Sequence, residues 1–257
     1  GDAKVTADGG ITANGAVSAT GGGVLLQGKS VTTATTTGMV TGDGNVRIEA
    51  TGGNVTLGAT VEGRNVSLIA AKDVADDTTG KITQNANVTA NGSNGVGDYD
   101  DLGTVSAEAA GELNMAAGTT TQGKGNVVYV GNGGTVAGTL KSTDGKVAVS
   151  GVTVGGSLEG DEIVLDVKSV GSAGEGGAVA LNAKKISIKA SEGGIYVNNG
   201  QGVEIVKAVA GDAVKANKVK EDLSVSAGEQ VSAYTSDVDG LSAAKDIVLN
   251  NAGKITV

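Results

Sequence analysis

One short phrase, repeated three times near the start of the chain, limits what this sequence can fold into. Residues 44–74 contain NVRIEA, NVTLGA and NVSLIA, separated by short stretches that contain glycine. In the first copy Val46 and Ile48 alternate with Arg47 and Glu49, which is typical of a strand with one buried face. The later copies begin their alternation at Val55 and Val66. Two strands and their turns are therefore predicted to occupy about 20 residues, which is within the range of solenoid repeats.

The same alternation continues along the rest of the chain. The further apolar pairs are Val55/Leu57, Val66/Leu68, Val147/Val149, Ile163/Leu165, Val179/Leu181, Ile186/Ile188, Ile195/Val197, Val203/Ile205, Leu223/Val225, Ile247/Leu249 and Ile255/Val257. A pattern of this extent predicts one all-β domain over residues 1–257. We expect Leu57→Asp or Ile188→Asp to disrupt it, and Arg47→Ala or Lys189→Ala to leave it intact, because only the first two positions face inward.

Two architectures use short strands of this kind, namely an antiparallel β-sandwich and a parallel β-solenoid. A sandwich core commonly contains large aromatic anchors. This chain has no Phe, no Trp and four Tyr, so its core must consist of Val, Ile, Leu and Ala. Such residues suit the narrow, regular layers of a β-helix, in which each coil of about 20 residues stacks on the next. The β-helix is the favoured prediction, and antiparallel β-sandwich repeats are the alternative.

Asparagines stand at the same phase before several predicted strands. Asn45, Asn54, Asn65 and Asn126 each precede a valine that begins a strand pattern. Asparagine tolerates the left-handed backbone of a corner, and stacked side-chain amides can bond to one another. We expect these residues to form a ladder at one corner of the helix.

Composition excludes several classes of function. The chain contains no Cys and no His, so a Ser-His-Asp triad, a Cys-His pair and a conventional zinc site cannot be built from it. Its net charge is −9, and Arg47 and Arg64 are its only arginines, which argues against nucleic acid as a partner. No apolar run is long enough to cross a bilayer, so membrane insertion is not expected.

The first interruption of the rhythm covers residues 73–103, which are predicted to form a lateral loop or an extra strand pair leaving the rod. Asp98, Asp100 and Asp101 lie close together before a glycine in this segment. Oxygen-rich loops of this kind suit calcium, which makes these carboxylates a candidate calcium site. The alternative is a solvated acidic loop without a metal.

The second interruption covers residues 203–222. Val206, Val209 and Val214 stand at helical spacing, but Gly211 falls in the middle of the pattern. A helix and irregular coils are both compatible with this segment.

Two local clusters suggest activities that the composition does not favour. Glu159, Asp161 and Glu162 could act as acid and base in a polysaccharide-active enzyme, although an exposed turn explains them equally well. The threonines of residues 32–37 suggest an ice-binding array, but such an array would have to recur in every coil. The sequence shows no such recurrence, and we expect neither an enzyme nor an ice-binding surface.

The segments GNVRIEATGGNVTLGA and AAGELNMAAGT, residues 109–119, resemble the degenerate repeats of the filamentous haemagglutinin family of two-partner secretion exoproteins and related adhesin passengers. The resemblance implies a right-handed parallel β-helix and a secreted, bacterial cell-surface location. It also implies a partner on a host or matrix glycan or protein surface.

The expected function is therefore that of a structural or adhesive segment, a rigid rod that presents a binding surface. The alternative is a subunit of an extracellular fibre or surface layer. Neither GDAKVTADGG nor GKITV resembles a cap, so we expect either a piece of a longer helix, which is the favoured explanation, or copies that stack end to end. A polysaccharide-active enzyme is the least favoured interpretation.

Overall fold

The structure, a computed structural model, describes residues 1–34, 38–71, 79–92, 103–226 and 228–257. The chain winds into coils, most of which contain three short strands, and each strand of the rod stacks on the equivalent strand of the next coil. The stacked strands form three rows, named A, B and C in chain order. Because stacked strands lie about 4.8 Å apart, the eleven stacked levels of row A make a rod roughly 50 Å long.

Row A is a sheet of twelve strands along the length of the rod. They are β1 (Ala3–Thr6), β4 (Val24–Gly28), β7 (Val46–Ala50), β10 (Val66–Ala70), β13 (Val105–Ala109), β16 (Val127–Val130), β19 (Lys146–Ser150), β22 (Glu162–Val167), β25 (Lys185–Ala190), β27 (Val203–Ile205), β32 (Leu241–Ala243) and β34 (Ile255–Thr256).

Rows B and C together contain eighteen strands. Row B contains β2 (Gly10–Ala13), β5 (Ser30–Thr33), β8 (Val55–Leu57), β11 (Ile82–Gln84), β14 (Leu113–Met115), β17 (Thr135–Val136), β20 (Thr153–Val154) and β23 (Ser169–Val170). Row C contains β3 (Val17–Ala19), β6 (Val40–Gly42), β9 (Val61–Gly63), β12 (Val88–Ala90), β15 (Thr120–Gly123), β18 (Thr139–Ser142), β21 (Ser157–Glu159) and β24 (Val179–Asn182). Two longer strands, β26 (Ile195–Asn199) and β33 (Ile247–Asn251), join both rows at the C-terminal end.

All described pairs between strands of the rod are parallel and in register. Val46, for example, lies between Val24 and Val66 of the neighbouring coils. The fold is therefore a parallel β-helix, as the sequence pattern predicts, and the sandwich alternative is wrong. The prediction of two strands per coil is also wrong, because a third strand is present that often contributes a single inward residue, as in β20 (Thr153–Val154).

The interior of the rod is a continuous apolar stack. The phased residues Leu57 and Ile188 are fully buried in it, as expected. Polar side chains interrupt the stack in places, for example where the Tyr129 hydroxyl donates to Gln84 Oε1 at 2.6 Å and lies 2.6 Å from Thr121 Oγ1. Burial raises the pKa of Tyr129 above its ordinary value, so the phenol stays protonated and acts as a structural hydrogen-bond donor.

The ladder prediction holds for only one pair of the four asparagines, and Asn54 lies at a different corner, before row B. Asn65 Nδ2 donates to Asn45 Oδ1 at 3.0 Å, which is a direct contact between stacked amides. Asn54 and Asn126 instead accept from the backbone N–H of Lys81 and Lys146 in the next coil, at 3.1 and 2.9 Å. Each of these bonds occupies a polar group that the corner would otherwise leave unpaired.

Part of the predicted lateral segment, residues 73–103, belongs to the rod. Residues 79–92 contain β11 and β12, which pair in parallel with β8 and β9 of the preceding coil. A lateral insertion therefore does not extend over residues 79–92. Most of the rest of the segment lies outside the described residues.

A segment without coil rhythm leaves the rod after β27 and returns at β32. We call residues 206–240 the clasp. Its elements are β28 (Lys207–Ala208), a single 3-10 turn (Ala210–Asp212), β29 (Lys215–Asn217), β30 (Gln230–Ser232) and β31 (Val238–Asp239), and its strands pair antiparallel, β28 with β31 and β29 with β30. Residues 203–222 thus contain no α-helix. Leu223, which the apolar pattern placed in a coil strand, lies in the clasp with φ of 66°.

Candidate binding surface

One line of outward side chains on row A is buried because the clasp lies across it. The stacking register places one outward residue per coil in a single line, which we call the covered rank. Its members are Leu25, Arg47, Ser67, Ser106, Val128, Ala148, Val164 and Ser187, and none is more than 8% exposed. Along this line row A is therefore buried on both faces over eight coils.

The middle of the covered rank is apolar and packs against apolar residues of the clasp. Val128, Ala148 and Val164 form a second hydrophobic cluster outside the helix, separate from the interior stack. The clasp contributes Ala208, Val214, Ala216, Val231, Ala233, Tyr234 and Val238 to this cluster. The covered face thus has a small core of its own.

The far end of the clasp is held by a buried ion pair. The Arg47 guanidinium donates to Glu49 Oε2 at 2.7 and 2.9 Å, and it also donates to the backbone carbonyl of Val219 in the clasp. Gln27 Nε2 donates to the same Glu49 oxygen at 2.9 Å. Both charged side chains are about nine-tenths buried, so the expectation that Arg47 is a free outward residue is wrong. Its phase is outward, but the clasp covers it.

Lys189, the other residue expected to be free of contacts, also touches the clasp. Its Nζ lies 3.2 Å from Asp166 and donates to Ser236 Oγ of the clasp at 2.7 Å. An outward position of row A can therefore contact the clasp, unlike an ordinary surface position that contacts only solvent.

Row B presents a different outer surface, with no clasp above it. The equivalent line of outward residues, which we call the hydroxyl rank, consists of seven hydroxyl side chains and one amide. Its members are Thr12, Thr32, Thr56, Thr83, Asn114, Thr135, Thr153 and Ser169, and all are at least partly exposed. The expectation that outward threonine does not recur from coil to coil is therefore wrong.

The recurrence was hidden because the coils differ in length and the threonines stand singly. Thr32 faces outward in β5, whereas the adjacent Thr33 is 2% exposed and its hydroxyl accepts from the N–H groups of Gly58 and Ala59. Only one threonine of each pair of neighbours can belong to an outer rank, since successive side chains in a strand point to opposite faces. The local cluster at residues 32–37 is thus not the repeating feature.

Row C presents a mixed surface. Its outward residues include Glu62, Thr89, Gln122, Lys141 and Glu159, so it contains both charged and neutral groups. The hydroxyl rank of row B carries no charge at any of its eight positions, which distinguishes it from both other rows. It forms the most uniform uncovered surface among the described residues.

The three carboxylates considered for an acid and base role do not act on a common point. Glu159 pairs with Lys141 at 3.1 Å, Glu162 with Lys146 at 2.6 Å, and Asp161 with Lys184 at 2.7 Å. Each lysine lies on a neighbouring coil, so each carboxylate is already engaged by its own cation. Their arrangement is that of cross-strand ion pairs between coils.

Asp98, Asp100 and Asp101, the candidate calcium ligands, lie outside the described residues. Within the described ranges no cluster of three or more acidic side chains is arranged to hold a metal ion. No helix in the described part of the chain is long and apolar enough to span a membrane.

Comparison of the chain with family models, curated proteins and solved structures finds no match. Its function must therefore be inferred from the surfaces of the rod itself.

Proposed function

We propose that this chain is a structural and adhesive segment of a secreted bacterial surface protein, a rigid rod that presents row B to a host or matrix glycan or protein. The observation that supports the proposal is the contrast between the faces. Row A is closed by the clasp, and row B carries an uncharged hydroxyl rank over eight coils.

The chemistry of the hydroxyl rank suits an extended neutral partner. Each threonine hydroxyl can donate and accept, and the rank repeats these groups at intervals of about 4.8 Å along the rod. Because the strands fix the backbone, little conformational entropy is lost when such a surface is contacted, which favours binding by many weak and repeated hydrogen bonds.

The test is binding of the purified chain to arrays of glycans and matrix proteins, with a matched pair of variants. Thr83→Lys changes row B and Thr89→Lys changes row C in the same coil, at residues of equal type and similar exposure. We expect Thr83→Lys to weaken binding to the array ligand and Thr89→Lys to leave it unchanged. Equal effects of the two variants, or no ligand on either array, would contradict the proposal.

A second candidate is a subunit that assembles end to end into a fibre. In the last described coil Ile247, Val248 and Ile255 are 44, 40 and 43% exposed although their counterparts in inner coils are buried or half-buried, so either a further coil or a second copy could pack on them. Exposed apolar side chains beside unpaired strand edges recruit another chain.

Sedimentation and negative-stain microscopy test this second candidate. We expect concentration-dependent association of the chain, weakened by Ile255→Lys and unaffected by Thr256→Lys on the same strand. A monomer at high concentration would exclude the fibre and leave the adhesive rod as the proposal.

A further inference from the structure

The clasp is inserted into a single strand of the rod. β27 places Ile205 opposite Ile186 of β25, and β32 places Leu241 opposite Ile188. One position, opposite Ser187, separates the two halves. Ser187 Oγ donates to the carbonyl of Val206 at 2.8 Å, so the clasp leaves and re-enters the rod at one point.

From this point the clasp runs back along the covered rank toward the N-terminal coils. Beyond its apolar middle, the N–H of Asn217 donates to Thr104 Oγ1 at 3.1 Å, and the N–H of Val219 donates to Ser67 Oγ at 2.8 Å. At the far end Asn45 Nδ2 donates to the carbonyl of Leu223 at 2.9 Å. The contacts reach from the ninth coil back to the second.

The far end is also anchored by apolar contact and by charge. Leu25 packs with Val219 and Leu223 in a third hydrophobic cluster. The Arg47 guanidinium, held by Glu49, donates to the carbonyl of Val219 in the same place. The second and third coils therefore hold a segment whose covalent root lies at the C-terminal end.

A simple solenoid lacks contacts between residues so far apart in the sequence. In a simple repeat array each coil contacts only its neighbours, so the array can open from either end. Here the bond from Asn45 to Leu223 joins residues 178 apart, and the bond from Arg47 to Val219 joins residues 172 apart. The second and third coils cannot open without breaking contacts to a segment rooted in the last coils.

We propose that the clasp couples the second coil to the ninth, so that the coils it spans unfold as one unit instead of opening in turn. The proposal concerns how the rod holds together and does not depend on what row B binds.

The first experiment removes the clasp without cutting the rod. Deletion of residues 207–240 leaves Val206 as the one residue between Ile205 and Leu241, opposite Ser187, which is the spacing the strand requires. We expect the shortened chain to keep its β-sheet signal in circular dichroism. We also expect a broader denaturation with a lower apparent m-value, because fewer coils open together.

The second experiment measures coupling by hydrogen exchange. Leu25→Asn removes an apolar anchor of the far end, and Thr32→Asn is the control, an outward change on the uncovered row B of the same coil. In the full chain we expect Leu25→Asn to accelerate exchange at least about tenfold both in β4, where it lies, and in β25, seven coils away. The control should accelerate neither strand appreciably.

In the shortened chain the same substitution should accelerate exchange in β4 and leave β25 unchanged. The proposal is overturned if Leu25→Asn in the full chain leaves β25 unchanged. It is equally overturned if β25 responds to the same extent with and without the clasp. If the shortened chain does not fold, comparison of Leu25→Asn with Thr32→Asn in the full chain still decides, because only coupling through the clasp predicts a distant effect from the covered rank alone.

Discussion

The outer faces of rows A and B share one backbone and differ in what covers them. Both rows stack parallel strands in register, and both point Val, Ile and Leu into the same interior. The outward line of row A contains Leu25, Val128 and Val164 and is buried, whereas that of row B is threonine and partly exposed. The stacking of coils therefore does not determine the outward residues. The outward residues differ according to whether a further layer packs on that face.

Inward substitutions in rows A and B should destabilise the protein equally, because both rows point into the same interior. Leu57→Asp lies beneath row B and Ile188→Asp lies beneath row A, and both positions are fully buried. We expect each to lower the free energy of unfolding by about 4 kcal/mol or more, because an unpaired carboxylate is placed in an apolar stack. Denaturant titration measures this, with the outward Thr56→Asp as control. Tolerance of only one of the two substitutions would mean that the rows differ inside as well as outside.

The next largest effect should come from the buried ion pair of the covered face. Arg47→Ala leaves Glu49 buried without its partner, so we expect a loss of about 3 kcal/mol in unfolding free energy. The matched change Thr83→Ala on the uncovered face should alter it by no more than about 0.5 kcal/mol.

A rescue variant separates charge from packing at this site. Replacing Arg47 and Glu49 together by leucine removes both charges, and we expect most of the loss to be recovered. If Arg47→Ala were as mild as Thr83→Ala, the clasp would not bury this pair in solution.

A reciprocal exchange tests the two outer faces with smaller changes. Val164→Thr places a hydroxyl in the apolar cluster under the clasp, and we expect it to cost about 1–2 kcal/mol. Thr83→Val makes the opposite change on row B, where the side chain is half-exposed, and should stay within about 0.5 kcal/mol. Thermal melting of both variants measures the difference, and equal costs would contradict the distinction between the faces.

The smallest effect is expected at low pH, where the clasp should lose protection from hydrogen exchange before the rod does. Hydrogen bonds from Ser224 lower the pKa of Asp222, and a hydrogen bond from the N–H of Ala210, with Lys207 nearby, lowers the pKa of Asp237. A lowered pKa in the folded state gives stability that is present above the ordinary value of 3.8 and is lost as the pH falls below it.

Hydrogen exchange of clasp amides between pH 6 and pH 3, corrected for the intrinsic rate, measures this loss. We expect protection in the clasp to fall relative to row B, and Asp237→Asn to make that fall smaller. A parallel loss of protection in both regions would mean that these two carboxylates do not hold the clasp.

The inward half of the fold was predictable from the sequence because it repeats. Val46 and Ile48 alternate with Arg47 and Glu49, which identifies the buried face of the strand. The recurrence of the phrase at Val55 and Val66 indicates the length of a coil. The third strand of each coil was missed because strands such as Thr135–Val136 contribute one inward residue and show no alternation.

The covered face left a signal that could have been read. The runs Val127 to Val130, Val147 to Val149 and Ile163 to Leu165 are continuously apolar, which is typical of strands buried on both faces. Arg47 and Glu49 are buried in the same way, but charged residues in a sequence indicate exposure. Their burial is possible because the two opposite charges pair with each other. The sequence does not predict that the clasp covers this face. The contacting residues are separated by 172 and 178 positions in the chain, and no local pattern links residues so far apart.

The split strand formed by β27 and β32 also makes this rod a natural recipient for grafted sequence. Its two halves are held by β25 regardless of what joins them, and one residue is enough to bridge the gap. Because the entropy of closing a loop grows slowly with its length, the length of the segment between Val206 and Leu241 is itself only weakly constrained. A designer who exchanges the segment 207–240 for an epitope or a small domain must therefore mainly provide a new cover for the apolar residues of row A that the clasp buries.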